Sequence, residues 1–376
     1  MAGIYIHIPF CKQACYYCDF HFSTSLKNKE SFLNALIKEI ELQKNYLEKN
    51  EIIDTIYFGG GTPSLLSRTE IERVLEHLYK NFTINKEAEI TLEANPDDLT
   101  PNKLGDLKKV SINRLSIGIQ SFFDEDLKWM NRAHNAEQAS IVVKNAQDKG
   151  FENITIDLIY GTPTLSNENW TENLQRTFDL KIKHISAYCL TIEPKTVLGH
   201  RLKNKTIENI DDQKSAIQFE RMLEEMRKNN FVQYEISNFC IDDNYSKHNS
   251  NYWLRKSYLG LGPSAHSFNG TGRRWNIANN AAYIKALETN TINYTEEVLS
   301  KSQQYNEYIL TSLRTVWGTD LTYIEKFFGS NFAAACIKEA RPYIIKKEVQ
   351  LLGNKLFLTT AGKLFADKIT SDMFVN

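Results

Sequence analysis

Three of the six cysteines stand close together, Cys11, Cys15 and Cys18, in the run CKQACYYC. The C-x3-C-x2-C spacing puts three soft thiolate donors on one short segment, so that three sulfurs can converge on a single inorganic centre. A tetrahedral zinc ion would need one ligand more, and His7, Asp19 and His21 are available for that role. A 4Fe-4S cube held by the three cysteines instead keeps one iron without a protein ligand, able to take an amino and a carboxylate group from a small molecule. Cys189, Cys240 and Cys336 are scattered singly and are expected to be small core hydrophobes.

A second chemical segment is Gly59-Gly60-Gly61-Thr62-Pro63, directly after the expected strand Thr55–Phe58, where backbone without side chains can approach a ligand. Polar residues also occur where buried strands ought to be apolar: Glu93 in ITLEANPD, Gln120 in LSIGIQSF and Asp157 in ITIDLIYGTP. Each falls near the carboxyl end of its strand, where barrel enzymes gather their functional groups. Buried polar networks or helix caps are the plainer explanation for each residue taken singly. Arg132, in NRAH, offers a fork suited to the carboxylate of a bound amino acid.

The elements that must position these groups alternate. Gly3–Ile8, Thr55–Phe58, Glu89–Glu93, Arg114–Gln120, Asn153–Ile159, His184–Ile192 and Phe231–Ile236 read as strands, rich in β-branched and aromatic residues. Between them, stretches such as Ser31–Tyr46, Thr69–Lys80 and Ala136–Lys149 carry apolar residues at three- and four-residue spacing, as covering helices do. The expected fold is therefore α/β, a full or partial TIM-like (β/α) barrel, with a doubly wound open sheet as the alternative. Asn204–Gln213 is polar and reads as an excursion, since the helix Lys214–Asn229 follows it. From about Ser300 two helical stretches, then Val349–Leu352 and Leu356–Leu358 around Gly353-Asn354, then a helix opened by Thr359-Thr360, read as a small α+β unit like a winged helix. The expected division is a barrel core over 1–235, a connecting segment over 236–299 and an accessory domain over 300–376.

Composition excludes other classes. The 376 residues are 42% hydrophobic and 24% charged, an ordinary globular balance that rules out collagen-like, disordered and disulfide-scaffold chains. With 45 Lys and Arg against 46 Asp and Glu, no global field draws the chain to nucleic acid or anionic lipid. MAGIYIHIPFCKQ lacks a basic leader before an apolar run, and no later stretch reaches membrane-span length. A cytoplasmic protein without nucleic-acid partners or a transmembrane segment is expected.

The cysteine loop, with an aromatic just before its last Cys, resembles the radical S-adenosylmethionine superfamily. IYIHIPFC, CDF, FGGGTPS, LEANPD, RLSIGIQSF, NRAH, DLIYGTP and GLGPSAHSF, taken in order, resemble the oxygen-independent coproporphyrinogen III dehydrogenase family over nearly the whole chain. That resemblance implies a 4Fe-4S cluster on Cys11, Cys15 and Cys18, and an S-adenosylmethionine site lined by Tyr5, Tyr17, Gly60, Gly61, Thr62, Glu93, Gln120, Arg132 and Asp157. Glu93 would meet the ribose and Asp157 an adenosyl portion. The dehydrogenases carry another cysteine two residues after the third ligand and a long leading extension; this chain has Phe20 and begins at about its first strand. Both differences are similar to the HemW group of heme chaperones, as is His248-Asn249-Ser250-Asn251-Tyr252-Trp253, matching H-N-x-x-Y-W. Membership implies heme as cargo, with His248, Asn249, Tyr252 and Trp253 as heme contacts, apo-hemoproteins such as respiratory enzymes as recipients, and a homodimer. An imidazole can ligate heme iron and aromatic faces can pack on a porphyrin, although a lone histidine beside aromatics is more often a packing residue. His266 is a further candidate, though the glycines around it read as a tight turn. The alternative function is oxidative decarboxylation of coproporphyrinogen III through a 5'-deoxyadenosyl radical.

Overall fold

A computed structural model describes residues 2–375. Six strands, β1 (Ala2–Ile8), β2 (Ile53–Gly60), β3 (Ile84–Ala94), β4 (Arg114–Gln120), β5 (Asn153–Tyr160) and β6 (His184–Cys189), lie side by side in chain order, each parallel to the next. A doubly wound sheet reverses its strand order at a switch point. Here there is no reversal, which removes that alternative. Nor does the sheet close: β6 pairs on its far side with β8 (Asn238–Cys240), antiparallel, followed by β7 (Val232–Gln233), so the core is a partial barrel. Of the strand expected over Phe231–Ile236, only the edge pair β7 forms.

The opposite edge differs from expectation. GLGPSAHSF is no simple turn, because Tyr258–Leu261 forms β9 and pairs parallel with β1, before the chain doubles back through β10 (His266–Phe268), β11 (Gly272–Asn276) and β12 (Tyr294–Val298). A side chain at Gly260 would collide with the carbonyl of His266, so glycine lets these strands approach. The segment 236–299 thus supplies β8 to β12 to the barrel's own sheet.

Ile4, Ile6, Ile56, Phe58, Leu92, Leu115, Ile117 and Ile156 are fully buried in one core with the inner faces of the covering helices, such as Phe32, Leu36 and Ile40 of Lys29–Leu42. Burial of such side chains contributes about 1.5–3 kcal/mol each. Helix starts are fixed locally: Ser67 with Glu70, and Asn135 with Gln138, form reciprocal capping boxes. Asn204–Gln213 joins two helices of this body, and Phe219 and Met222 beyond it return to the same core.

Tyr305, Ile309, Leu313, Ile324, Phe328, Cys336 and Leu356 build a second core. Before the hairpin it gathers three helices, Lys301–Leu313, Leu321–Phe328 and Ser330–Ile345, where two were expected, then the helix Ala366–Asp372 after it, and a small antiparallel sheet of β13 (Thr319–Asp320), β14 (Val349–Leu352) and β15 (Lys355–Leu358). Gly329, at a positive φ of 102°, splits the second helix from the third. Among the described residues no helix is long and apolar enough to cross a membrane.

Candidate functional site

Six parallel strands deliver their carboxyl ends to one side, and there a cavity of about 390 Å³ opens, large enough for a drug-sized ligand. Cys11, Cys15 and Cys18 all reach it from the loop after β1. The loop is pinned by its backbone: Cys11 N–H donates to Ser23 O (3.0 Å), Tyr16 N–H to Met130 O (3.1 Å) and Leu198 N–H to Tyr16 O (3.0 Å). Asn131 Nδ2 holds Ala14 O at 2.8 Å, and Lys12 pairs with Asp97 at 2.9 Å and with Asp98.

Burial pushes the Cys11 thiol up to about 11 and the Cys18 thiol up to about 12, so loading a metal centre must release protons. Among the described residues, no three or more His, Cys, Asp or Glu side chains are gathered as for a single ion. Two of the possible fourth ligands for zinc have other work: His7 binds His21 O through Nε2 (2.8 Å) and Tyr5 OH through Nδ1 (3.2 Å), and His21 Nε2 meets Asn280 (2.7 Å). Three thiols spread around one roomy cavity fit a polynuclear cluster better than a zinc ion.

Arg132 ties the cysteine loop to the sheet. Its Nη1 donates to Cys15 Sγ and to Tyr17 OH (both 3.3 Å), and its Nη2 to Asn95 Oδ1 (2.6 Å) and Gly118 O (2.8 Å). Nε is buried without a partner, a donor that a bound acceptor would satisfy. The fork expected for a ligand carboxylate is therefore largely committed to the protein, with Nε to spare.

Glu93 accepts from Tyr57 OH (2.8 Å) and Gly60 N–H (3.1 Å), while Ser116 Oγ donates to both oxygens of Asp157 (3.3 and 3.1 Å). Burial pushes Glu93 up to about 7, helped by the charge of Asp157, and burial likewise pushes Asp157 up to about 6. Gln120 ends β4 at a φ of +66°, beyond a register shift after Gly118, which turns the chain at the cavity wall. The left-handed region costs a residue with a Cβ about 1–2 kcal/mol, the kind of strain found at ligand sites. Gly60 has φ +104°, and a Cβ on Gly61 would come within 2.6 Å of Phe10 O, so the glycines seat the cysteine loop as well as lining the cavity.

Of the residues expected here, Tyr17, Gly60, Gly61, Thr62, Glu93, Gln120, Arg132 and Asp157 line the cavity with the three cysteines. Tyr5 does not itself line it, but its ring stacks on that of its register partner Tyr57 (6.1 Å), which does. The H-N-x-x-Y-W residues divide. They form the helix Lys247–Trp253, whose start is fixed by Glu89 accepting from Lys247 N–H (3.2 Å) and His248 N–H (3.0 Å). Asn249 reaches the cavity, whereas Tyr252 and Trp253 line a separate slot. His248 lies between, 1% exposed, with Nδ1 on Thr55 Oγ1 (2.8 Å), Nε2 on Tyr252 OH (2.9 Å) and its ring stacked on Tyr57 (4.9 Å). Burial lowers His248 to about 3, so the ring is neutral, and any bond to iron would displace one of those partners. His266 is exposed and stacks on Trp275 (5.9 Å).

Sequence reasoning missed other lining residues. Asn95 and Ser116 stand inside the motifs ITLEANPD and RLSIGIQSF, and polarity on a buried strand was the available signal for Ser116. Tyr188 and Cys189 end β6 at the cavity, so Cys189 is exposed where a core thiol was expected, while Cys240 and Cys336 are buried as expected.

Residues 5–176 match the family model of the Radical SAM superfamily. The chain is 35% identical to the heme chaperone HemW of Lactococcus lactis subsp. lactis, over 87% of this chain and 85% of that protein. It is 32% identical to the heme chaperone HemW of Bacillus subtilis over 98% of both. Among solved structures, coproporphyrinogen III oxidase (HemN) from Escherichia coli, a radical SAM enzyme, aligns with a TM-score of 0.86 at 23% identity, over 100% of this chain and 90% of that one, a likeness of fold. With two such relatives matched along most of their length, the chain belongs to the HemW family of heme chaperones, on a radical SAM fold.

Proposed function

We propose that this protein is a cytoplasmic heme chaperone: it binds heme and hands it to apo-hemoproteins such as respiratory enzymes, working as a homodimer. The observation that carries the reading is the convergence of Cys11, Cys15 and Cys18 with Gly60, Glu93, Gln120, Arg132 and Asp157 on one cavity, in a chain whose curated relatives are named heme chaperones. The three cysteines would hold a 4Fe-4S cluster, which when bound supplies an open iron for the amino and carboxylate groups of S-adenosylmethionine. Arg132 braces Cys15 and offers its spare Nε to the ligand. Glu93 and Asp157 face the cavity as acceptors for hydroxyl and amino groups, and both gain acceptor strength as pH rises through 6–7. Tyr57 fixes the Glu93 carboxyl, and Gln120 narrows the wall. The working division is a barrel core over 1–235, a connecting segment over 236–299 and an accessory domain over 300–376.

Phe20, standing where the dehydrogenases carry a further cysteine, is 69% exposed at the cavity mouth and favours carriage over decarboxylation. Hemin titrated into the purified, anaerobically reconstituted protein should give a saturable absorbance change. No binding, or production of protoporphyrinogen IX from coproporphyrinogen III under reductant, would overturn the reading.

A further inference from the structure

The slot beyond the Lys247–Trp253 helix has a volume of about 200 Å³ and lies between that helix, β9 to β11 and the helix Lys301–Leu313. Tyr252, Trp253, Tyr258 and Phe268 give it aromatic walls, with Tyr252 and Tyr258 edge to face at 4.6 Å. Two guanidinium groups share it with one carboxylate. Arg273 Nε meets Glu307 Oε1 at 2.9 Å, and Arg255 Nη2 lies 3.9 Å from Glu307 Oε2. Arg255 Nη1 is spent on Gln304 O (3.0 Å), but its Nε is buried with no partner. Glu297 faces Arg273 across the strand pair without lining the slot. The lining thus carries one positive charge in excess, an unsatisfied buried donor and flat apolar walls.

We infer that this slot takes one edge of a porphyrin, with a propionate carboxylate on Arg255 and Arg273 and the adjoining pyrrole between the aromatic walls. The inference rests on the reading of the chain as a heme carrier. The donor set suits it: an anion satisfies Arg255 Nε and balances the excess charge, and Arg273, with its side chain 44% exposed, can turn from Glu307 to a ligand. So small a volume holds an edge, not a whole macrocycle. The metal centre then stays outside the slot, where a recipient's ligand can reach it.

The test compares hemin, metal-free protoporphyrin IX and protoporphyrin IX dimethyl ester on the reconstituted full-length protein, alongside R273Q and the slot-filling T311W. The slot predicts that hemin and the metal-free diacid bind alike and the ester at least tenfold more weakly. Each substitution should weaken hemin by about tenfold, the loss of one charge-assisted hydrogen bond for R273Q, with iron content unchanged. If hemin binds but is indifferent to R273Q and T311W, or the metal-free diacid fails to bind, the slot assignment falls while heme carriage stands. If no porphyrin binds, both fall.

Discussion

The cavity at the strand ends and the slot against the C-terminal helix share one short helix, Lys247–Trp253, yet they are built by opposite means. The cavity collects thiols, carboxyls and an arginine from β1 to β6 and their following loops, each anchored by backbone, with polar atoms left for a ligand. The slot collects rings and two arginines from four separate segments, closed by a single acid. One suits a reactive centre that needs fixed geometry, and the other a flat cargo that must leave. His248 joins them, because Tyr252 and Thr55 take its two nitrogens and Tyr57, stacked on it, holds Glu93.

Separating the two regions by mutation should produce a graded set of effects. The largest is expected from Cys15→Ala, which removes a donor from the cavity alone: iron and acid-labile sulfide should be lost together while hemin affinity stays within about twofold, a difference below about 0.4 kcal/mol. Loss of both properties would merge the regions. Gly61→Ala should destabilise the protein by about 2–3 kcal/mol, because the new methyl meets backbone oxygens of Ile8 and Phe10, a clash with no flexible end. Thermal melting with iron quantitation reads both consequences. His248→Ala should cost roughly 2 kcal/mol by stranding Tyr252 OH and leaving Thr55 Oγ1 only the long bond from Asn251 (3.5 Å), without shifting the bound hemin spectrum. A changed spectrum would instead make His248 an iron ligand.

The smallest effect is a pH dependence. Glu93 titrates higher in the folded chain than when unfolded, so the native state holds its proton longer, and stability falls as pH rises from the ordinary carboxyl range through about 7. Glu93→Gln should therefore raise the melting temperature of the ligand-free protein at pH 8 and change it little at pH 5. An equal shift at both values would show that the carboxyl's charge is not the cause.

Much of the cavity was legible because its residues sit at strand ends, where burial and chemistry conflict visibly. Three cysteines at fixed spacing, a polar Glu93, Gln120 and Asp157 on otherwise apolar strands, and a glycine run after β2 each break a local pattern. Tyr5 was carried over by resemblance; it takes the same face of the sheet as its register partner Tyr57, which lines the cavity and stacks on it. The strand β9 was hidden because Gly260 and Gly262 look like turn residues, although Gly260 is there for close strand approach. Of the slot, only Tyr252 and Trp253 had a signature in sequence, as part of H-N-x-x-Y-W. Tyr252, Phe268, Arg273 and Glu307 meet only after the sheet and the second core have packed together.

Transfer is the most direct test of the account. Protein loaded with one equivalent of hemin, its cluster reconstituted, is mixed anaerobically with an apo-hemoprotein and the two are separated. Heme should leave this chain and appear in the recipient faster than hemin released into buffer can supply it. Heme retained on this chain, or transfer no faster than passive release, would contradict it.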